Sequence, residues 1–442
     1  MLALFFISLC FFLSTLLCGT AVYHKPGGML SLSRPIPKKG DLSICDNWHG
    51  IALLDIVGKV VGRLIQNRLQ QFAEETLPET QCGFRQGRSC TDQIFTTMQL
   101  VEKLFEHRLS GFFIFVDLKK AYDSIPRAAL WQCLELMGVP QPLVQLISSF
   151  RTGMSAGVRV GDAHTPSIAV HNGLRQGCAI SPVLFNLYFA MVLEKWQEDM
   201  QPSCPDGELS FCFNINRKLF NRVTMRHHHS TSTMDLEFAD DAVLMLPSRS
   251  SAQIAIETFS SVAQSFGLTV NFTKTKFMCW DASLSDLDYQ PLVVEQQSVQ
   301  HMPSFVYLGS LLSPDSQVGP EIDQRLAGAS QAFGALWCVF DDNNISLRTK
   351  RLLYVACVQS VLLYGGESWP ILKRDEARLN VFHHRCLRAI LHVSRLDQEL
   401  HHITNLDYRQ RWGDVGLMSD VLHRQRLQWL VHVARMPPDR LS

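Results

Sequence analysis

The stretch Leu236-Glu237-Phe238-Ala239-Asp240-Asp241-Ala242-Val243-Leu244-Met245-Leu246 decides how this chain is read. Two adjacent carboxylates stand between apolar flanks rich in strand-forming residues, a pattern that predicts the turn of a buried β-hairpin. Adjacent ionised groups repel each other, and burial makes the repulsion worse. A divalent cation relieves it, because hard oxygen ligands suit Mg²⁺. Turn chemistry alone favours an ordinary Asp-Asp surface turn, so the reading depends on a second acidic site.

Upstream, Gly111-Phe112-Phe113-Ile114-Phe115-Val116-Asp117-Leu118-Lys119-Lys120-Ala121-Tyr122-Asp123 supplies one. The apolar run 112–116 predicts a strand buried on both faces and ending in Asp117. A strand-end carboxylate beside a hairpin bearing Asp240 and Asp241 gives the three carboxylates that a two-metal phosphoryl-transfer site uses. Here the sequence resembles a known family. D-x-x-x-A-[FY]-D at 117–123, followed by F-A-D-D at 238–241, is similar to the palm of a reverse transcriptase of the non-LTR (LINE-type) retrotransposon group.

That resemblance implies an α+β fold of the right-hand polymerase kind: an antiparallel-sheet palm, fingers and a helical thumb. It implies RNA-templated DNA synthesis, with RNA template, DNA primer and dNTPs as partners. Asp117, Asp240 and Asp241 become the catalytic residues and ligands of two Mg²⁺ ions, with Mn²⁺ as an accepted substitute. Asp241 is expected to act more through charge and hydrogen bonding than through full ligation.

Composition is that of a globular chain: 442 residues, 46% hydrophobic and 19% charged, which argues against extensive disorder. Net charge is zero, but its distribution is uneven. Residues 346–442 hold 15 Lys/Arg against 9 Asp/Glu, a net of +6 that leaves −6 for the remainder. A basic C-terminal part is compatible with gripping a nucleic-acid duplex. Thirteen cysteines without a C-x-x-C pair read as free thiols in a reducing compartment.

Residues 1–23 carry no charged side chain. They read as a signal-peptide core with Gly19-Thr20-Ala21 as a small-residue cleavage site, as a marginal membrane span, or as a fusion foreign to the rest. A polymerase belongs in nucleus or cytoplasm, whereas this segment would engage a membrane. From Arg34 the character changes. An apolar-periodic helix is expected with Ile56, Val60, Leu64 and Leu69 inward and Lys59, Arg63 and Arg68 outward. By resemblance this region is the fingers, and His49 stands where the family usually has Arg. Imidazole binds phosphate only when protonated, so the triphosphate contact there is weakened.

Gln81-Cys82-Gly83-Phe84-Arg85-Gln86-Gly87-Arg88 reads as a loop whose glycines let backbone approach phosphates, followed by a helix from Thr91 to about His107. After Asp117, Pro126 is expected as a first helical residue with Ser124 as cap. Tyr122 reads either as a core aromatic or, by resemblance, as the steric gate that excludes a 2′-hydroxyl. Asn172-Gly173-Leu174-Arg175-Gln176-Gly177 leads into Ser181-Pro182, the start of a buried helix. By resemblance Arg175, Gln176 and Gly177 touch template and dNTP. The run 201–233, with His227-His228-His229, is expected as a surface loop, since three adjacent side chains cannot converge on one ion.

Beyond the hairpin, Phe259, Val262 and Phe266 mark a helix stopped by Gly267, then a strand at 268–272. Residues 267–276 match the family's G-L-x-x-N-x-x-K-T-K run; Lys274 and Lys276 read either as plain surface lysines or, by resemblance, as residues near the departing pyrophosphate. Tyr307-Leu308-Gly309 resembles the turn of the primer-grip hairpin. Later helices resemble the thumb: Leu352, Leu353, Val355, Ala356, Val361, Leu362 and Leu363 would pack, while Arg348, Lys350 and Arg351 face the duplex. The domain reading is 1–23 leader, 34–110 fingers, 111–317 palm, 318–370 thumb and 371–442 basic post-thumb region. Two rivals stand beside the polymerase. A catalytically inactive relic or maturase-like RNA-binding protein is favoured by His49 and the leader and opposed by the intact carboxylates. A metal-dependent nuclease would leave the template and gate motifs without purpose.

Overall fold

The computed structural model describes residues 30–37, 41–44, 48–53, 56–160, 163–166, 168–205, 207–214, 228–280, 288–313, 317–413 and 416–436. The hydrophobic leader, His227 and residues 215–227 lie outside them. No helix among the described residues is long and apolar enough to cross a membrane.

In chain order the elements begin with strands β1 (Leu30–Pro37) and β2 (Trp48–Leu53) and helices α1 (Ile56–Thr76) and α2 (Cys90–His107). Then come β3 (Gly111–Val116), α3 (Ala121–Ser124), α4 (Arg127–Leu136) and α5 (Gln141–Ser149). Short strands β4 (Ser155–Val160), β5 (Ala163–His164) and β6 (Ile168–Ala169) precede α6 (Ser181–Met200). Strands β7 (Leu209–Asn214), β8 (His228–Thr233), β9 (Asp235–Phe238) and β10 (Asp241–Leu246) lead to α7 (Arg249–Ser265). The strands end with β11 (Lys276–Trp280), β12 (Leu292–Val294), β13 (Gln297–His301), β14 (Phe305–Tyr307) and β15 (Ser310–Leu312). The remainder is helical: α8 (Gly319–Ala335), α9 (Trp337–Asp341), α10 (Leu347–Leu353), α11 (Ser360–Leu362), α12 (Lys373–Ile390), α13 (Arg395–Leu400), α14 (Asn405–Trp412) and α15 (Met418–Val433). This is a mixed α+β fold.

The described residues divide into two compact units, one drawn from Met1–Ser89, Ser110–Phe277 and Leu284–His301, the other from Cys90–Leu109, Met278–Ser283 and Met302–Ser442. The first unit is organised by a six-stranded sheet of order β12-β13-β11-β3-β10-β9. All six residues of β3 are buried, as the unbroken apolar run requires. Helix α7 packs on β3 and β10, and α6 packs on α7. Thirteen residues of α6 are buried, among them Leu184, Phe185, Tyr188, Phe189 and Trp196. The Ser248 side chain accepts from the Ser251 N–H and so caps α7.

Several local expectations change. In α1 the buried face is Gly58, Gly62, Ile65, Leu69 and Ala73, whereas Ile56, Val60 and Leu64 are exposed; two glycines, which carry no hydrophobic signal, are among the inward positions. Pro126 stands at the N-cap of α4 without a side-chain cap, and the Ser124 hydroxyl instead donates to the Lys119 and Lys120 carbonyls. The run 201–233 is not all loop, because β7 and β8 pair antiparallel. Residues 268–272 form a single bridge, Leu118 to Val270, rather than a strand. The chain turns there because the Lys274 and Thr275 amides both donate to the Asn271 carbonyl.

In the second unit β14 and β15 form a hairpin whose turn residues Leu308 and Gly309 both have positive φ, the requirement of a tight primed turn. Its helical core holds Ile322, Phe340, Tyr354, Val358, Leu362, Trp369, Leu379, Leu387, Tyr408 and Leu422. A π-helical stretch, Tyr354–Gln359, resets the helix phase. Tyr354, Val358 and Leu362 therefore face inward, while Leu352 and Val355, expected to pack, are exposed. Lys350 and Arg351, expected on an outer face, are committed internally. The Lys350 ammonium is buried and donates to the Phe340 carbonyl at 2.6 Å, and Arg351 donates to the Trp412 and Gly413 carbonyls.

His383 is buried in this core with the Tyr354 hydroxyl 2.9 Å from Nδ1. Burial, then the charges of His384 and Arg409, push its pKa down to about 3. The folded unit therefore holds His383 neutral, while the unfolded chain protonates it below about 6.5. Its contribution is present above that value and lost as pH falls towards 3. Wild-type protein is expected to lose more stability between pH 7 and pH 5 than His383→Gln, measured by chemical denaturation. Equal losses would count against a buried neutral imidazole.

Candidate active site

The antiparallel register of β3 and β10 pairs Val116 with Ala242 and Phe112 with Leu246. Asp117, the next residue after β3, is thereby brought to the end of the sheet where the hairpin places Asp240 and Asp241. Their nearness shows in the charge interactions of Asp117 with Asp240 and Asp241. Burial pushes the Asp240 carboxyl up and the Asp117 charge adds to this, against a lowering by its own backbone amide. Asp241 keeps one side open to solvent, yet burial, then Asp240 and Asp117, push it up to about 6, with Lys274 pulling it down. Two carboxyls held above their ordinary pKa, with the charge of Asp117 beside them, form a site that attracts a cation.

Asp117 is held from several sides. Its main-chain N–H donates to Thr275 Oγ1 at 3.1 Å and its carbonyl accepts from the Asn271 amide at 2.8 Å. One carboxylate oxygen accepts from Asn271 Nδ2 at 2.8 Å and lies 3.7 Å from the Lys274 ammonium. Lys274, one of the two lysines expected near the pyrophosphate, lies beside the Asp117 carboxylate. Asn271 and Thr275 lay inside the quoted 267–276 run without being singled out; their signal was their place in that run.

Tyr122 stacks on Phe185 with ring centroids 4.6 Å apart, and burial, then Asp240, push its hydroxyl pKa up. Its carbonyl accepts from the Leu174 amide at 2.7 Å, which ties α3 to the loop of Arg175, Gln176 and Gly177. Gly177 has φ 98°, a conformation that favours glycine, and the Cys178 amide donates back to the Arg175 carbonyl. Arg175 and Gln176 are half-buried. Arg175 is close enough to Arg127 to help lower the latter's pKa. His49 lies on β2 opposite Ile36; only its backbone is described.

The arginines of the 81–88 loop are not presented to a ligand. Arg85 is buried, pairs with Glu74 at 3.0 Å and donates to the carbonyls of Leu77, Pro78 and Gln81. Arg88 pairs with Glu79 through both carboxylate oxygens at 2.7 Å. These pairs fix the loop as structure, because a buried guanidinium needs its donors filled. The loop's contact with the hairpin is made by Gln81, which is fully buried. Within that hairpin, on β9, Glu237 is buried, and burial, then its hydrogen bond and charge interaction with Asp235, push its pKa well above the ordinary value. Ala239, the turn residue before Asp240, has φ 59° without being glycine, a strain of about 1–3 kcal/mol that surrounding structure must hold.

The profile of the reverse transcriptase (RNA-dependent DNA polymerase) family matches residues 36–312, more than half of the chain. The chain belongs to that family. Its relatives are reverse transcriptases of non-LTR retrotransposons. It is 24% identical over 357 residues to the "Probable RNA-directed DNA polymerase from transposon BS" of Drosophila melanogaster, covering 78% of this chain and 36% of that protein. It is 21% identical over 358 residues to the RNA-directed DNA polymerase from mobile element jockey of Drosophila funebris, covering 80% and 36%. The chain thus spans about a third of the length of these relatives. Telomerase from Candida albicans, solved with a fragment of telomeric RNA, is similar at 11% identity and a TM-score of 0.46, over 84% of this chain and 64% of that one.

Among the described residues no group of three or more His, Cys, Asp or Glu is gathered closely enough to hold a metal ion by itself. The fit of a divalent cation to this reverse transcriptase chain rests on the mutual charge interaction of Asp117, Asp240 and Asp241.

The neighbouring Glu237 allows a test of the site's foundation. Because its folded pKa is raised, its contribution is full below about 4.5 and is lost as pH rises through the folded value. Glu237→Gln keeps the shape without the ionisation. The variant is expected to gain stability relative to wild type as pH rises from 5 to 8, read by chemical denaturation. A constant difference would mean that Glu237 ionises freely.

Proposed function

We propose that this chain performs RNA-templated DNA synthesis, with Asp117 and Asp240 as ligands of two Mg²⁺ ions and Asp241 as an electrostatic support. The observation that carries the reading is the sheet register that sets Asp117 beside the Asp240-Asp241 turn. Carboxylate oxygens are the donor set that Mg²⁺ takes, and Mn²⁺ fits the same ligands. Bound there, the ions supply activation of the primer 3′-hydroxyl and neutralisation of charge on the leaving pyrophosphate.

The chain's own residues do the rest by positioning. The 3′-hydroxyl oxygen forms the new bond to the α-phosphorus of the dNTP as the bond to pyrophosphate breaks. Asn271 fixes the Asp117 carboxylate, and Lys274 adds positive charge beside it. Stacked on Phe185 and close to Asp240, Tyr122 offers a rigid wall against which a sugar is sized. Arg175, Gln176 and Gly177 lie on the loop bonded to Tyr122, where template and dNTP would be met. RNA template and DNA primer follow from the family reading.

Asp117→Asn and Asp240→Asn are each expected to abolish primer extension while leaving fold and duplex binding intact. Metal charge stabilisation supplies several kcal/mol, and about 1.4 kcal/mol is tenfold in rate, so the loss should reach several orders of magnitude. Chelating divalent cations should stop the wild-type reaction, and Mg²⁺ or Mn²⁺ should restore it. Near-normal extension by either variant sinks the assignment. Tyr122→Ala should raise ribonucleotide relative to deoxynucleotide incorporation; an unchanged ratio in an active variant returns Tyr122 to the core.

A further inference from the structure

The Asp240 turn is gripped by one buried amide. Gln81 Oε1 accepts from the Ala239 N–H at 3.0 Å and the Gly83 N–H at 2.7 Å. Gln81 Nε2 donates to the Ala239 carbonyl at 3.4 Å and to Glu237 Oε2 at 3.2 Å. Two donors at one end and acceptors at the other fix which way the amide points. The main chain is paired as well, the Glu237 amide donating to the Thr80 carbonyl and the Cys82 amide to the Glu237 carbonyl. Thr80 Oγ1 donates to Glu237 Oε1.

Gly83 completes the grip by close approach. A Cβ there would lie 2.2 Å from the Ala239 nitrogen, so any side chain would push the turn away. The Gly83 carbonyl accepts from Asn186 Nδ2 at 2.6 Å, which anchors the loop to α6. Ala239 has no intrinsic preference for its left-handed conformation. The two-residue turn between Phe238 and Asp241 calls for a positive φ there, an alanine bears it at a cost, and Gln81 contacts both polar atoms of that residue's backbone.

We propose that Gln81 is a positioning residue, whose side-chain amide holds Ala239 in its left-handed conformation and thereby sets Asp240 against Asp117. The inference rests on the polymerase reading above, and its test separates the two. Gln81→Met keeps the length and loses the hydrogen bonds. It should remain folded by circular dichroism, lose hydrogen-exchange protection at the Ala239 and Gly83 amides, and drop kcat tenfold or more at little changed KM for dNTP. Gln81→Glu, which keeps the acceptor for both amides, should retain more activity than Gln81→Met. Adding Ala239→Gly, which accepts positive φ without strain, should restore part of the Gln81→Met loss.

Unchanged protection and kcat in Gln81→Met would overturn the proposal. So would a loss that Ala239→Gly does not relieve, which would make Gln81 a packing residue. Should Gln81→Met not fold, the order of Gln81→Glu and wild type decides: equal kcat and equal protection overturn it. Should wild-type protein fail to extend primers, the polymerase reading falls, and the positioning claim is then read by Mn²⁺ titration followed by electron paramagnetic resonance. Weaker Mn²⁺ binding in the Gln81 variants supports the claim, and equal binding overturns it.

Discussion

Carboxylates gather at the end of a buried sheet only where the main chain leaves them no alternative, and here the antiparallel register of β3 and β10 imposes that. With Val116 opposite Ala242, Asp117 and the Asp240-Asp241 turn leave the sheet at the same end. A one-residue slip would reverse every side chain of β10 and exchange Leu244 and Leu246 with Val243 and Met245, all four fully buried and packed in place. The hydrophobic packing of the sheet and the electrostatics of the site are therefore one constraint. Burial that stabilises the strands also raises the pKa of Asp240 and Asp241.

The support beneath the turn follows the same logic of filled donors and avoided charge. Glu237, on β9 within the hairpin, is held towards its neutral form, which keeps another anion away from the three carboxylates. Gln81, uncharged and able to donate and accept, makes the contacts to the turn itself. The loop that carries Gln81 is braced by Arg85 and Arg88 against Glu74 and Glu79. The charges that brace this loop are paired, and a neutral amide contacts the Ala239-Asp240 turn.

Much of this was legible in the sequence, and the exceptions share a cause. The strand ending in Asp117, the acidic hairpin and the buried helix after Ser181 each follow from unbroken apolar runs, where local pattern and burial agree. The α1 face was misread because Gly58 and Gly62 carry no hydrophobic signal, although they are buried inward positions. The π-helical phase shift at Tyr354–Gln359 leaves no trace in a periodicity count. The pairing of Arg85 with Glu74 and of Arg88 with Glu79 is not legible either, because sequence shows a side chain's charge but not its partner. Gln81, Gly83 and Asn186 act through contacts 103 to 158 residues apart, which no local window contains.

The same limit applies to the basic C-terminal part, where a charge count treats every Lys and Arg as surface. Lys350 is buried on a helix-end carbonyl and Arg351 is bonded to two more. Arg378 pairs with Asp323 and Asp375. Residues such as these stabilise the second unit and release no counterions on meeting a phosphate backbone. Exposed positions including Arg348, Arg385, Arg395, Arg411 and Arg424 are the ones whose charge reaches solvent. The net of +6 therefore describes two populations, one that builds the helical unit and one that supplies its outward field. Only the second can give nucleic-acid binding its salt dependence.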